Sequence, residues 1–404
     1  MKKYLSVFLG ILLFVLSPCC FGTNVNADVN ASESADSEST EDSEIAEVIF
    51  VPDDEIAVDS ISMSARLGTD KAKRINFVLP DKNGNVLSRE LFPNGSPKSE
   101  DVKQGALYGG GYFFAVLAAL ADIQPELLKE NLVEDGKGNV TVKFYHPHNG
   151  EPFYIKVQKT VPDLPDAYKF VPNDCLWVHM YLKAFVASGF AGIDGYMDGH
   201  AAKNYKSSES EFGFGIACLV MRMLTGFDTK IYEPTSSPAS KDEIKLLYSK
   251  IKESLLSDCP VVCDFTPFRN LVELNRDAVS DRGLVRYHIY SIEKVYKDDN
   301  GQKWIKLRNP WGCYVPVYDE YGQRVADFSD KSDGRFVLKF NDFANQRGRV
   351  YFGEDREISP KSRSEIFSEF KAQISISISD YPKWIWFIPG AYILFLICLF
   401  GGVI

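Results

Sequence analysis

The chain has 404 residues, with 45 Lys and Arg against 55 Asp and Glu and a formal net charge of −10. Hydrophobic residues make up 45% and aromatics 13%, enough to bury a sizeable core, which excludes a wholly disordered chain. The acidic balance argues against a nucleic-acid partner, because phosphate binding draws on clustered Lys and Arg.

Taken in chain order, Lys2 and Lys3 precede an apolar run from Tyr4 to Leu16, and small residues follow at Gly22, Thr23 and Ala27. This pattern predicts a signal peptide over 1–27, with an uncleaved N-terminal anchor as the alternative. Residues 28–63 are expected to form a solvated linker. From Asp28 to Glu55 there are eleven acidic residues and no Lys or Arg, so the segment repels itself and buries little.

The globular part is expected over 64–357. Residues 104–130 read as helical, and Tyr112 to Ala121 is apolar on nearly every side, the pattern of a buried helix. Residues 139–160 alternate through Val140, Val142 and Phe144, then Phe153, Ile155 and Val157, on either side of His148-Asn149-Gly150: a hairpin. Helices are expected over Cys175–Ser188, Phe212–Leu224 (closed by Thr225-Gly226) and Lys241–Leu256. After Cys259 the chain turns to strands at Val261–Phe265, His288–Tyr296, Lys303–Leu307 and Gly334–Phe340, with a hairpin turn at Asp298-Asp299-Asn300-Gly301. A helical half therefore precedes a β-rich half.

Residues 358–383 form a polar stalk in this reading. Trp384 to Ile404 carries no charge over 21 positions, long enough for a transmembrane helix, with Lys383, Trp384 and Trp386 as interface anchors. The expected protein is exported and single-pass, with its globular domain outside the cytoplasm.

Of eight cysteines, Cys19 and Cys20 fall in the leader and Cys398 in the terminal apolar run. Cys175, Cys218, Cys259, Cys263 and Cys313 remain, an odd set that leaves at least one free thiol or an external pairing. His146 and His148 sit at the hairpin tip, where exposure is a better reading than metal ligation. Asp298-Asp299-Asn300 lacks the closing Glu of a calcium loop. No metal and no cofactor is expected.

The chemistry lies in three islands. The first is Gln104-Gly105-Ala106-Leu107-Tyr108-Gly109-Gly110-Gly111-Tyr112, a glutamine and small residues opening an apolar helix. The second is His288-Ile289-Tyr290-Ser291, and the third is Leu307-Arg308-Asn309-Pro310-Trp311-Gly312. A thiol peptidase needs a nucleophile at a helix N-terminus, a histidine base, a group that holds the imidazole tautomer, and donors for the oxyanion.

In this order the islands resemble the calpain family of cysteine peptidases, whose catalytic core has a papain-like layout. The family's nucleophile loop reads Gln-Gly-x-x-Gly-Asp-Cys and then an aromatic; here Gly111 stands at the cysteine, Gly110 at the acidic residue, and one residue is inserted near Tyr108. His288 resembles the family's His-Ala-Tyr-Ser strand, and Leu307 to Gly312 matches its asparagine motif without a gap. Leu176-Trp177, Leu182-Lys183-Ala184, Leu224-Thr225-Gly226, Asp333-Gly334-Arg335-Phe336 and Asp342-Phe343 add to the likeness, which covers most of 65–352.

The resemblance implies an α+β fold with a papain-like core, a helical N-terminal lobe and a β-rich C-terminal lobe. It implies His288 as base, Asn309 as its orienter, Gln104 as oxyanion donor and Trp311 as a shield over the His–Asn pair. It also implies peptide-bond hydrolysis, which Gly111 cannot support because it has no side chain. The family's calcium dependence cannot be mapped onto these residues. Three functions stay open: a pseudopeptidase that binds polypeptide in the old cleft, an endopeptidase with a relocated nucleophile such as Cys175 or Cys313, and a structural surface domain with a closed cleft.

Overall fold

The computed structural model describes residues 48–53, 77–78, 90–105, 110–162, 171–172, 174–190, 216–233, 238–265, 284–285, 288–314, 317–318, 324–345, 348–362, 364–366 and 368–369. The leader at 1–27, most of the acidic linker, the second half of the stalk and the apolar segment 384–404 lie outside these residues. Among the described residues, no helix is long and apolar enough to cross a membrane.

Strand β1 (Val48–Val51) opens the described chain, and β2 (Phe77–Val78) follows. Helix α1 (Gly111–Ile123) leads into α2 (Pro125–Glu130), β3 (Leu132–Glu134), β4 (Asn139–Tyr145), β5 (Pro152–Gln158) and β6 (Val161–Pro162). Helices α3 (Leu176–Ala187) and α4 (Ala217–Thr225) come next, then β7 (Phe227–Tyr232) and α5 (Lys241–Leu256). The β-rich half holds β8 (Val261–Asp264), β9 (Ile289–Lys297), β10 (Lys303–Arg308), β11 (Val317–Tyr318), β12 (Arg324–Val325), β13 (Arg335–Lys339), the short α6 (Phe340–Ala344) and β14 (Val350–Glu357).

A six-stranded sheet ordered β13-β10-β9-β8-β14-β7 separates two cores. On one side lie α1, α3 and α4, whose apolar residues pack with Val262 and Tyr351 of the sheet. On the other, Leu247, Tyr248 and Ile251 of α5 and Phe340 and Phe343 of α6 pack on Val261, Cys263, Tyr290, Ile305 and Leu307. The alternation along β8 explains the split, since Val261 and Val262 point to opposite faces.

Helix α1 is buried from Gly111 to Ala121, as its apolar circumference requires. Helix α5 is amphipathic and starts on a capping box: Glu243 N–H donates to Ser240 Oγ at 3.2 Å and Ser240 N–H to Glu243 Oε2 at 2.8 Å. Helix α4 ends as expected at Gly226, which takes the left-handed conformation at φ 75°.

Two expectations need correction. Residues 48–51, inside the expected acidic linker, are not solvated coil: β1 adds in parallel to β5 at the edge of a sheet ordered β1-β5-β4-β3, and Val51 is fully buried. The hairpin tip is not solvent-exposed at His148, which is buried. The start of the stalk covers it, with Lys361 N–H donating to the His148 carbonyl at 3.0 Å and Ile358 lying over Gly150. The stalk continues docked: Glu369 accepts from Lys361 at 2.6 Å and from the buried Arg222 at 3.2 Å.

Asp53 fixes the end of the β1 segment through the buried Lys183 of α3. The Lys183 ammonium lies 2.5 Å from Asp53 Oδ1 and donates to Thr160 Oγ1 and the Gln158 carbonyl, each at 2.7 Å. Burial outweighs the attraction of Asp53 and lowers the Lys183 pKa from 10.5 to about 8. A lysine whose folded pKa lies below its unfolded value binds fewer protons when folded, so its stability penalty shrinks as pH rises from about 8 toward 10.5. Relative to Lys183→Met, the wild type should therefore gain urea resistance across that window; a difference that falls with pH would refute the assignment. Asp53→Ala, which strands the ammonium, should cost about 3–5 kcal/mol at neutral pH in the same unfolding assay.

Candidate active site

The three sequence islands meet at the N-terminus of α1. Gly110 caps the helix in the left-handed region at φ 71°, and its carbonyl accepts from Phe113 N–H at 2.9 Å and Phe114 N–H at 3.1 Å. Gly110 therefore uses a conformation that favours glycine. Gly111 follows as the first helical residue, where the positive end of the helix dipole would stabilise an anion.

His288 stands just before β9 and reaches across to this point. A β-carbon placed on Gly111 would lie 3.1 Å from His288 Nδ1 and Cε1 and 3.5 Å from Gln104 Oε1. Among the described residues these are the nearest groups to that position, so the imidazole and the glutamine amide border the space.

Asn309 Oδ1 lies 2.8 Å from His288 Nε2 and also accepts the Trp311 N–H at 3.0 Å. An amide oxygen can only accept, so the contact places a proton on Nε2; in the neutral imidazole the lone pair then sits on Nδ1, the nitrogen facing Gly111. The Trp311 indole packs on the imidazole with ring centres 4.5 Å apart, and His288, Asn309 and Trp311 are all buried. A neutral imidazole with its lone pair toward position 111 is the state a general base needs.

Gln104 is fixed by its backbone, whose N–H donates to the Pro310 carbonyl at 2.7 Å. Its buried side chain is oriented with Oε1 toward Gly111; half a turn of the amide presents Nε2, the donor an oxyanion needs.

The structure thus brings together Gln104, Gly111, His288, Asn309 and Trp311, all singled out in the sequence. It adds residues that spacing did not reveal. Arg308, fully buried, donates through Nε to Asp333 Oδ2 at 2.9 Å and through Nη2 to the Val102 carbonyl at 2.8 Å. Gly334 lies so near Asn309 that its carbonyl accepts the Asn309 N–H at 2.9 Å. Their sequence signals were the Leu307–Gly312 island, which contains Arg308, and the Asp333-Gly334-Arg335-Phe336 island; neither showed the contacts they make.

Among the described cysteines, Cys175, Cys259 and Cys263 lack the low pKa of an activated thiol. Cys175, Cys218, Cys259, Cys263 and Cys313 are all buried and free of disulfides. Burial, helped by Asp101 and Asp174, pushes the Cys175 thiol far up; burial also raises Cys263 strongly and Cys259. Among the described residues, no group of three or more His, Cys, Asp or Glu is arranged to hold a metal ion.

The model of the calpain family of cysteine proteases matches residues 53–352. Among curated proteins, human Calpain-8 is 23% identical over 312 residues, covering 70% of this chain and 40% of Calpain-8. Rat Calpain-8 is 23% identical over 311 residues with the same coverage. The chain therefore aligns with well under half the length of these relatives.

Proposed function

The chain belongs to the calpain family of cysteine proteases, and from that premise we propose that it is a pseudopeptidase, a polypeptide-binding member that does not cut. The observation that carries this reading is position 111. The base, its orienter and the oxyanion amide stand in working relation around a residue with no side chain. Acyl transfer through a thiolate needs a sulfur there, and among the described residues the groups nearest that position are His288 and Gln104, neither of which carries one.

The occupant of the cleft is an extended polypeptide, held without cleavage, and the protein acts as a scaffold, a decoy or a regulator of an active relative. The domain is exported, with residues 384–404 as its anchor and 358–383 as the stalk.

A peptide library presented to the full chain should yield retained, uncut peptides, with binding lost in Gln104→Ala and Trp311→Ala variants that still fold. No binding, or binding indifferent to both substitutions, would sink the proposal. A thiol-reactive peptide probe separates the competing enzyme reading. Wild-type labelling abolished by His288→Ala would establish a relocated nucleophile; the burial of Cys175 and Cys313, with the Cys175 thiol pushed far up, leads us to expect none. For the anchor, the full chain should stay with membranes under alkaline carbonate, and a chain stopped at residue 383 should be released.

A further inference from the structure

We propose that Arg335 is a positioning residue, the cation that fastens the Ser99–Gln104 segment to the β-rich half and so sets Gln104 and Gly111 opposite His288. The inference holds whether or not the cleft binds polypeptide.

The segment is joined to the β-rich half at almost every residue. Arg335 Nη2 donates to Ser99 Oγ at 2.8 Å and pairs with Glu100 Oε1 at 2.8 Å. The Val102 carbonyl accepts from Arg308 Nη2 at 2.8 Å, the Lys103 ammonium lies 3.0 Å from Asp333 Oδ1, and Gln104 N–H donates to the Pro310 carbonyl at 2.7 Å. Asp101 points the other way and accepts from the indole N–H of Trp177 in α3 at 2.9 Å. The segment is thus a seam between the halves, and it ends at Gln104.

Arg335 is the branched centre of that seam. While one arm holds Ser99 and Glu100, its Nε donates to Glu293 Oε1 at 2.7 Å and its Nη1 to Asp333 Oδ2 at 2.8 Å. Glu293 lies where the β9–β10 register slips, between the Lys306–Lys294 and Leu307–Ile292 pairs. The bulge frees its carboxylate for Arg335 and for Lys306, 2.7 Å away. Asp333, in the left-handed region at φ 50°, collects Lys103, Arg308 and Arg335 together. Guanidinium geometry suits this work: its planar fork reaches four partners at fixed angles, which a lysine ammonium at the same place cannot do. Three of its partners are carboxylates; removing it leaves Glu293 to Lys306 and Asp333 to Lys103 and Arg308, and takes the Arg335 contact from Glu100.

The test is site-resolved hydrogen exchange on the full chain. In Arg335→Met, exchange of the Gln104 and Val102 amides should rise about tenfold, while the amides of Phe114 to Ala121 inside α1 keep their wild-type rates. Arg335→Lys should fall between wild type and Arg335→Met. A uniform rise across α1 and the seam would mean only global destabilisation and would overturn the proposal, as would an unchanged Gln104 amide. If Arg335→Met does not fold, Glu100→Gln serves instead, because Glu100 is the exposed arm of the hub. Raising NaCl from about 0.05 to 1 M should speed seam exchange in wild type and have a smaller effect in Glu100→Gln. Equal salt responses in the two proteins would refute the latch.

Discussion

Gly111→Cys should create the most reactive thiol in the molecule. The backbone at 111 is ordinary helix, so a side chain meets no conformational barrier there. Its β-carbon would sit 3.1 Å from Nδ1 of His288, tight enough that the imidazole must give by a few tenths of an ångström. The new sulfur would have the helix N-terminus behind it and a histidine base beside it, the two features that lower thiol pKa. We expect iodoacetamide to alkylate residue 111 at least about tenfold faster than any native cysteine at pH 6. Peptide mapping by mass spectrometry reads the rate at each site, and adding His288→Ala should remove the advantage. A residue-111 thiol no faster than the native ones would mean that His288 does not act as a base in solution. The single substitution is the cleaner test. Restoring the family's acidic residue as well, by Gly110→Asp, would force a side chain into φ 71° and cost about 1–2 kcal/mol before any chemistry is measured.

Gly334→Ala should be the most damaging small substitution near the site. Gly334 has φ 74°, and a β-carbon there would fall 2.4 Å from the Asn309 carbonyl oxygen and 3.3 Å from Asn309 Cβ. A backbone atom cannot step aside as a side-chain tip can, so the strand end carrying Asn309 has to move. The left-handed conformation adds about 1 kcal/mol and the overlap about 1–3 more, for a total near 3 kcal/mol by urea unfolding. Gly301→Ala is the matched control. Its φ is 78°, but nothing lies within 4 Å of the added carbon, so only about 1 kcal/mol is expected. A displaced Asn309 should also lose its hold on Nε2, and the His288 imidazole resonances should shift in Gly334→Ala but not in Gly301→Ala. Equal losses in the two variants would show that close approach to Asn309 contributes nothing.

Much of the site was legible because each island carries its own local signal. The apolar circumference from Tyr112 to Ala121 marks a buried helix wherever it packs, and the Asn309-Pro310-Trp311-Gly312 motif keeps its spacing. The Asp298–Gly301 turn and the capped helix Lys241–Leu256 fell at the expected places. The β1 strand was missed because its acidic surroundings read as coil, and its pairing with β5 spans more than a hundred residues. His148 was misplaced for the same kind of reason: its burial depends on Ile358 and Lys361, far along the chain.

The sequence by itself determined that position 111 has no nucleophile, since a missing side chain is a covalent fact that folding cannot repair. It also determined the order of helical and β-rich halves through hydrophobic periodicity, which is a local property of the chain. Only the tertiary structure decided that His288 faces Gly111 with Nδ1, and that Asn309 and Trp311 hold it there. It alone exposed the seam of Arg335, Arg308, Lys103 and Asp333. Charged side chains find their partners in three dimensions, and nothing in the spacing of Glu100, Glu293 and Arg335 along the chain announces that they meet.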